Sequence, residues 1–431
     1  MPESSGDGEP SWERSWTRRR LLGALTGGGL GAGGIWYANR QFLDTLPDNV
    51  IVPPGGESSD LGPDPLFGSS IAVSDDGTTT IIGDLEREEA YVFGQDSGEW
   101  AQRAKFTPRD LRVEDIRISG FGRSAAISAD GTTALVGAAP GFVSEGGGAA
   151  LAFTEEAEEW SLQANLKTLL PRETYPHFGE SVALSADGSL AIIGAPISGA
   201  GLVFVCFRAE GEWRVQTKLT AEDGEGRDGE VVADTFGGAV ALSRDGTTAI
   251  IGAHHDDNHN GEHAGAAYVF TRTNGGWTQQ AKLTAASGTE NHYFGVRVAV
   301  SGDGTTALVG DAPDSGYPTC LVFERTEDGW VRQGNFEMAG PREYADFAVS
   351  DTGTTVVIPG PSATYVYDQI EGVWELRSKL PPPNGVTNVT TSYGSVAVSG
   401  DGTTALINAT QDDEGTAVYS VELGDSDGTP Q

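Results

Sequence analysis

Apolar and polar positions alternate in short runs along this chain, and the runs recur in register. Phe236-Gly237-Gly238-Ala239-Val240-Ala241-Leu242-Ser243 reads as a strand, Arg244-Asp245-Gly246-Thr247 as a tight turn, and Thr248-Ala249-Ile250-Ile251-Gly252 as the return strand. Asp-Gly suits such a turn because it tolerates the positive φ that hairpins need. Residues 265–270 and 277–283 supply two further strands, separated by a turn at Asn274-Gly275-Gly276. Four consecutive antiparallel strands make one blade of a β-propeller.

The same phrase opens five units at Phe67-Gly68, Phe121-Gly122, Phe178-Gly179, Phe236-Gly237 and Phe294-Gly295, and two weaker ones at Tyr344-Ala345 and Tyr393-Gly394. The turn glycines Gly77, Gly131, Gly188, Gly246, Gly304, Gly353 and Gly402 stand 54, 57, 58, 58, 49 and 49 residues apart. A period near fifty, with only strand signals inside it, predicts an all-β array of repeated sheets. Trp100, Trp160, Trp213, Trp277, Trp330 and Trp374 each follow a turn in the fourth strand. Five residues after each stands Lys105, Asn165, Lys218, Lys282, Asn335 or Lys379. A large ring repeated at one position points to packing between blades.

The seventh unit holds three strands, at residues 395–398, 403–407 and 416–421, and lacks the tryptophan strand. An orphan strand, Asp48-Asn49-Val50-Ile51-Val52, stands before the first unit. The expectation is a seven-bladed β-propeller of four-stranded antiparallel blades over residues 41–423, with this N-terminal strand completing the last blade. Such a closure removes the open sheet edges that invite aggregation. Residues 424–431 read as an acidic tail.

The formal charge is −35, from 62 acids against 27 Lys and Arg. A chain so acidic repels phosphates, so nucleic acid is not an expected partner. Self-repulsion on this scale destabilises a fold in dilute salt, but at molar salt the screening length falls to about 3 Å. The composition therefore points to a high-salt, haloarchaeal origin. Cys206 and Cys320 fall in blades three and five, which do not adjoin, and are read as buried small hydrophobes rather than a disulfide.

At the start, Thr17-Arg18-Arg19-Arg20 precedes a mildly apolar run, residues 21–38, containing seven glycines. Basic residues followed by such a run have the layout of a twin-arginine export signal over residues 1–40. The 18-residue run is near the minimum membrane span, so residues 21–38 are also read as a possible uncleaved anchor. The expected address is extracellular or cell-surface. Asn388-Val389-Thr390 and Asn408-Ala409-Thr410 match the glycosylation triplet, in keeping with that address.

The units resemble FG-GAP repeats, the blades of the propeller at the head of integrin α-chains. The resemblance rests on Phe-Gly with a downstream Gly194-Ala195-Pro196, and looser copies at Gly137-Ala138-Ala139-Pro140 and Gly310-Asp311-Ala312-Pro313. It implies calcium loops of the form Asp-x-Asp-x-Asp-Gly, for which there is no faithful copy. Residues 223–230 are acidic and glycine-rich with the wrong spacing, and Asp75-Asp76-Gly77 lies in a hairpin turn.

In a propeller blade the first-to-second and third-to-fourth turns leave one face, and the remaining connections leave the other. The first set is monotonous here. The second, including residues 85–89, 141–148, 219–235, 254–264 and 381–392, differs each time. Variable loops on a rigid scaffold are where binding resides. Four of the six histidines lie in one such loop, residues 254–263. Its His255, Asp256, Asp257, His259 and His263 form a candidate metal site, for zinc or nickel through nitrogen or for calcium through oxygen. His177 and His292 break the repeat pattern with no partner evident in the sequence. The expected function is a non-catalytic cell-surface binding or scaffold protein whose variable face holds an extracellular protein or glycan. Two alternatives stand beside it: a hydrolase or lyase with a site near the channel, and an envelope component that self-associates through divalent ions.

Overall fold

A computed structural model describes residues 49–52, 66–108, 118–140, 148–170, 175–197, 200–224, 234–285, 289–314, 317–338, 346–360, 362–383, 395–411 and 415–424. The expected export signal and anchor, the glycosylation triplet at Asn388, the openers Tyr344-Ala345 and Tyr393-Gly394, and all of the expected acidic tail but Gly424 lie outside these residues.

Seven four-stranded antiparallel sheets form the ring. Six are built of four strands consecutive in sequence. The seventh takes Val50–Ile51 as its outer strand, with Val50 opposite Tyr419 and Ile51 opposite Val418. The N-terminal strand thus closes the ring as its sequence predicted. One helical turn, a 3-10 helix at Leu166–Leu169, was not foreseen; it begins where Asn165 replaces the usual lysine and its side chain caps Lys167 N–H.

The core lies between blades rather than within them. Seven buried apolar clusters occupy the seven junctions, from Ile81, Val92 and Phe121 between blades one and two to Ile51, Phe67 and Leu406 at the closing seam. The tryptophans serve these junctions. Trp160 meets Phe106 of blade one at 6.0 Å between ring centroids, and Trp374 meets Phe336 of blade five at 5.7 Å. Trp213 Nε1 donates to Gln163 of blade two at 2.9 Å, and Trp100 Nε1 to Ser420 of blade seven at 3.0 Å. Both cysteines are free and buried.

A bulge interrupts the third-to-fourth strand pairing in blades one to six. It explains the five-residue spacing. Trp100 pairs with Gln95 and Lys105 with Tyr91, so one extra residue brings tryptophan and lysine onto one face. Where the fifth residue is lysine, the residue across the strand is aromatic: Tyr91, Phe204, Tyr268 or Tyr365, each 5.2–5.4 Å from the ammonium. Where it is asparagine, the partner is Leu151 or Leu321. The charge and the ring change together because an ammonium over an aromatic face gains about 0.5–1 kcal/mol or more.

The Phe-Gly and downstream glycine positions have one shared cause. A Cβ on Gly83, Gly137, Gly194 or Gly252 would come within 2.1, 2.2, 2.0 or 2.0 Å of the carbonyl oxygen of Gly122, Gly179, Gly237 or Gly295 in the next blade. At the seam, Asn408 replaces that glycine. Its Nδ2 donates to Phe67 O at 2.6 Å, and Thr416 Oγ1 donates to the same oxygen at 2.7 Å. Asn408 is 1% exposed, so it is a seam residue and not a glycosylation acceptor in the folded ring.

Candidate functional site

The two faces are built differently. On the turn face, a serine and an aspartate two residues on form the same bonds in blade after blade. In blade four, Ser243 Oγ donates to Asp245 Oδ1 at 2.8 Å, and that oxygen accepts Thr247 N–H at 2.9 Å and Thr247 Oγ1–H at 2.8 Å. Ser243 Oγ also accepts Thr248 N–H at 2.9 Å. Blade six carries Thr352 in the aspartate's place and makes the weaker Ser350–Thr352–Thr354 hydroxyl chain. Burial alone would raise the pKa of Asp76, Asp130, Asp187, Asp245 and Asp401, but the turn's hydroxyl and amide hydrogen bonds outweigh it and hold them below the ordinary value.

On the loop face, residues 254–264 of blade four are stitched to the segment that opens blade five. Asn291 N–H donates to Glu262 O at 2.8 Å, Tyr293 N–H to His263 O at 3.0 Å and Phe294 N–H to Ala264 O at 3.1 Å. Asn258 and Gly261 close a tight turn on each other at 2.9 and 3.3 Å. Asn260 Nδ2 donates to Ala285 O at 2.9 Å, and Asp257 Oδ1 accepts His263 N–H at 2.8 Å. The loop is thus held by its own polar side chains.

Three imidazoles gather here. The His254 and His255 centroids lie 4.3 Å apart, and His255 stands 4.9 Å from His263 and 5.4 Å from Tyr293, nearly perpendicular to both. Thr235 Oγ1 lies 3.2 Å from His254 Nδ1 and 3.4 Å from His255 Nδ1. Burial, then His255, Arg297 and His263, lowers His254 to about 3. Burial, then His263, lowers His255 to about 4. Both are neutral at pH 7. Thr235, His263, Asn291 and Tyr293 hold φ of 58°, 50°, 58° and 52°, a left-handed conformation that non-glycine residues rarely adopt. His177 holds the same conformation, at 57°, in the matching place before Phe178, so at Thr235 and Tyr293 it belongs to the repeat.

The five predicted metal ligands do not converge. Asp256, 2% exposed, turns into the blade. It accepts Tyr268 Oη–H at 2.6 Å and pairs with Lys282 Nζ at 2.9 Å. Asp223, from the acidic segment before blade four, joins the same group, at 2.7 Å from Lys282 and 2.9 Å from Tyr268. Burial would lower Lys282, but the two carboxylates outweigh it and raise its pKa. Asp257 and His259 are exposed; Asp257 accepts the backbone N–H of His263, and the rings of His255 and His263 meet. Among the described residues no group of three or more His, Cys, Asp or Glu side chains is arranged to hold a metal ion. The set does not fit calcium as it stands, because the lysine already neutralises its one buried carboxylate.

His177 and His292 do have partners, supplied by the fold. His177 Nδ1 lies 3.1 Å from Glu180, which also accepts Arg123 Nε–H of blade two at 2.7 Å. His292 lies 3.3 Å from Asp311, which accepts Thr319 N–H at 2.6 Å. A carboxylate three residues after His177 was visible in the sequence; the arginine from the neighbouring blade was not.

Residues 213–270 and 277–319 match the FG-GAP repeat, a span running from the end of blade three into blade five that includes this loop. No curated protein matches the chain. Among solved structures, Kuenenia stuttgartiensis hydrazine synthase superposes with a TM-score of 0.56 at 12% identity, over 86% of this chain and 100% of that one. The β-propeller domain of Cps50 (Swd1) from Myceliophteria thermophila superposes with a TM-score of 0.53 at 11% identity, over 82% and 97%. At such identities the likeness is one of fold alone, and a fold hosts many functions.

Proposed function

We propose that this chain is a non-catalytic, exported scaffold whose loop face holds an extracellular protein or glycan. The observation that carries the reading is the contrast between faces. The turn face repeats one hydrogen-bonded device, whereas the blade-four and blade-five loops bring His254, His255, His263 and Tyr293 together, with His255 at 4.3, 4.9 and 5.4 Å from the other three rings. The FG-GAP match across the same blades agrees with a binding role. Export follows from the arginine-led, glycine-rich run of residues 17–38, and a high-salt setting from the charge of −35.

The test is binding by the full chain to a glycan array and to solubilised envelope from its own source, at molar salt. A His255→Ala, His263→Ala, Tyr293→Ala variant loses binding while a turn-face Asp245→Ala variant keeps it. Equal loss in both, or binding untouched in the loop variant, contradicts the assignment. Dialysis to dilute salt should erase the β circular dichroism signal; a spectrum unchanged there removes the high-salt reading.

A further inference from the structure

The seven hairpin turns meet around the axis of the ring. In blades one to four and six the residue after the turn serine donates its backbone N–H to the next blade, and in blade five the residue after that one does. Asp75 N–H donates to Ala129 O at 3.0 Å, Ala129 to Ala186 at 2.9 Å, Ala186 to Arg244 at 2.9 Å and Arg244 to Gly302 at 3.0 Å. Asp303 N–H then reaches Asp351 O, and Asp351 N–H reaches Gly400 O, both at 3.1 Å. Neighbours joined this way stand about 5 Å apart, so a ring of seven has a radius of about 6 Å. Seven long side chains cannot share that space.

The sequence places three charged residues at these positions, Asp75, Arg244 and Asp351, and four small ones, Ala129, Ala186, Gly302 and Gly400. The charged three come from blades one, four and six, as near to threefold spacing as seven permits. Arg244 Nη1 is paired with Asp75 Oδ2 and with Asp351 Oδ2. The small residues make the room. A Cβ on Gly302 would stand 2.5 Å from Asp351 Cγ, and one on Gly400 would stand 2.7 Å from Asp351 Oδ2 and 3.0 Å from Asp75 Cγ.

We propose that Arg244, Asp75 and Asp351 form an ionic bolt that shuts the turn end of the central channel and ties three non-adjacent blades across the axis. The guanidinium occupies the place that two converging carboxylates would otherwise give to a cation, and the loop face is left as the channel's open end. The bolt does not depend on what the loop face binds. Its side chains keep 43%, 29% and 32% exposure, so its strength falls as salt rises.

The test compares the full chain with Arg244→Gln, the same change combined with Asp75→Asn and Asp351→Asn, and Arg325→Gln as a control outside the bolt. At fixed salt, Arg244→Gln should lower the melting temperature by about 2–4 °C, the shift expected for losing about 1 kcal/mol. Neutralising both aspartates in that background should restore most of the loss. Added calcium should raise the melting temperature of Arg244→Gln more than that of the parent or the control. Arg244→Gln matching the control in all three respects, or aspartate changes that simply add to its loss, would overturn the bolt. If Arg244→Gln fails to fold, Asp75→Asn with Asp351→Asn in the parent carries the test. Relative to the parent, that variant should lower the melting temperature most at the lowest salt at which the parent stays folded and least in concentrated salt, and a loss independent of salt would equally overturn the proposal.

Discussion

The same seven blades end in two unlike faces. On the turn face, six of the seven hairpins carry the Ser-x-Asp-Gly turn, blade six carries Ser350-Asp351-Thr352-Gly353, and backbone bonds link one turn to the next. On the loop face no two connections repeat, and the rings of His254, His255, His263 and Tyr293 gather between blades four and five. A repeat leaves its connections alike where they bear on one another and lets them diverge where they do not. The difference teaches that this ring places its constraint at one end, which leaves the other free to vary.

The most damaging change strikes the junctions that support both faces. Gly194→Val, whose Cβ would lie 2.0 Å from Gly237 O, should cost more than about 4 kcal/mol and abolish the cooperative denaturant transition at molar salt. A variant that still unfolds cooperatively would mean that the blades can spread without losing the ring. Next comes the seam. Asn408→Ala removes a buried donor to Phe67 O and should cost about 1–3 kcal/mol, read as a lowered denaturant midpoint with binding intact.

Acid should separate the faces. His254 and His255, held at about 3 and about 4 against an ordinary 6.5, take protons more readily when unfolded. Their region therefore loses stability as pH falls from 6.5 toward 4. The turn aspartates lie below their ordinary 3.8, so their contribution is complete above that value and is lost as pH falls through their lowered pKa values. Amide exchange at His255 and Gly265 should accelerate at a higher pH than exchange at Gly131 and Gly246, after correction for intrinsic rates; simultaneous loosening would erase the contrast. The smallest effect is a gain. Thr352→Asp gives Ser350 and Thr354 a carboxylate acceptor in place of a hydroxyl, and should raise stability by about 0.5–1 kcal/mol in chemical denaturation.

Local chemistry was legible in the sequence, and chemistry assembled between blades was not. Asp-Gly turns, the tryptophan strand and the missing last strand each show within a few residues, so the blade count and the closure by Val50–Ile51 follow from reading along the chain. The glycosylation triplet at Asn408 misled because a tripeptide carries no information about burial; only the ring brings Phe67 O against it. The metal reading counted His255, Asp256, Asp257, His259 and His263 as one loop, but Lys282 and Tyr268, across the blade, draw Asp256 away. Arg244 looked like an ordinary turn residue. Its partners lie 169 residues before it and 107 after, and nothing short of the closed ring unites them.

The most direct test of the contrast is a hydrogen-exchange footprint of the full chain at molar salt, with and without solubilised native envelope. The account predicts new protection over residues 254–265 and 289–294, with the turn amides of Ala129, Ala186 and Arg244 already protected and unchanged. Protection that appears at the turns while residues 254–265 stay as they were would contradict it.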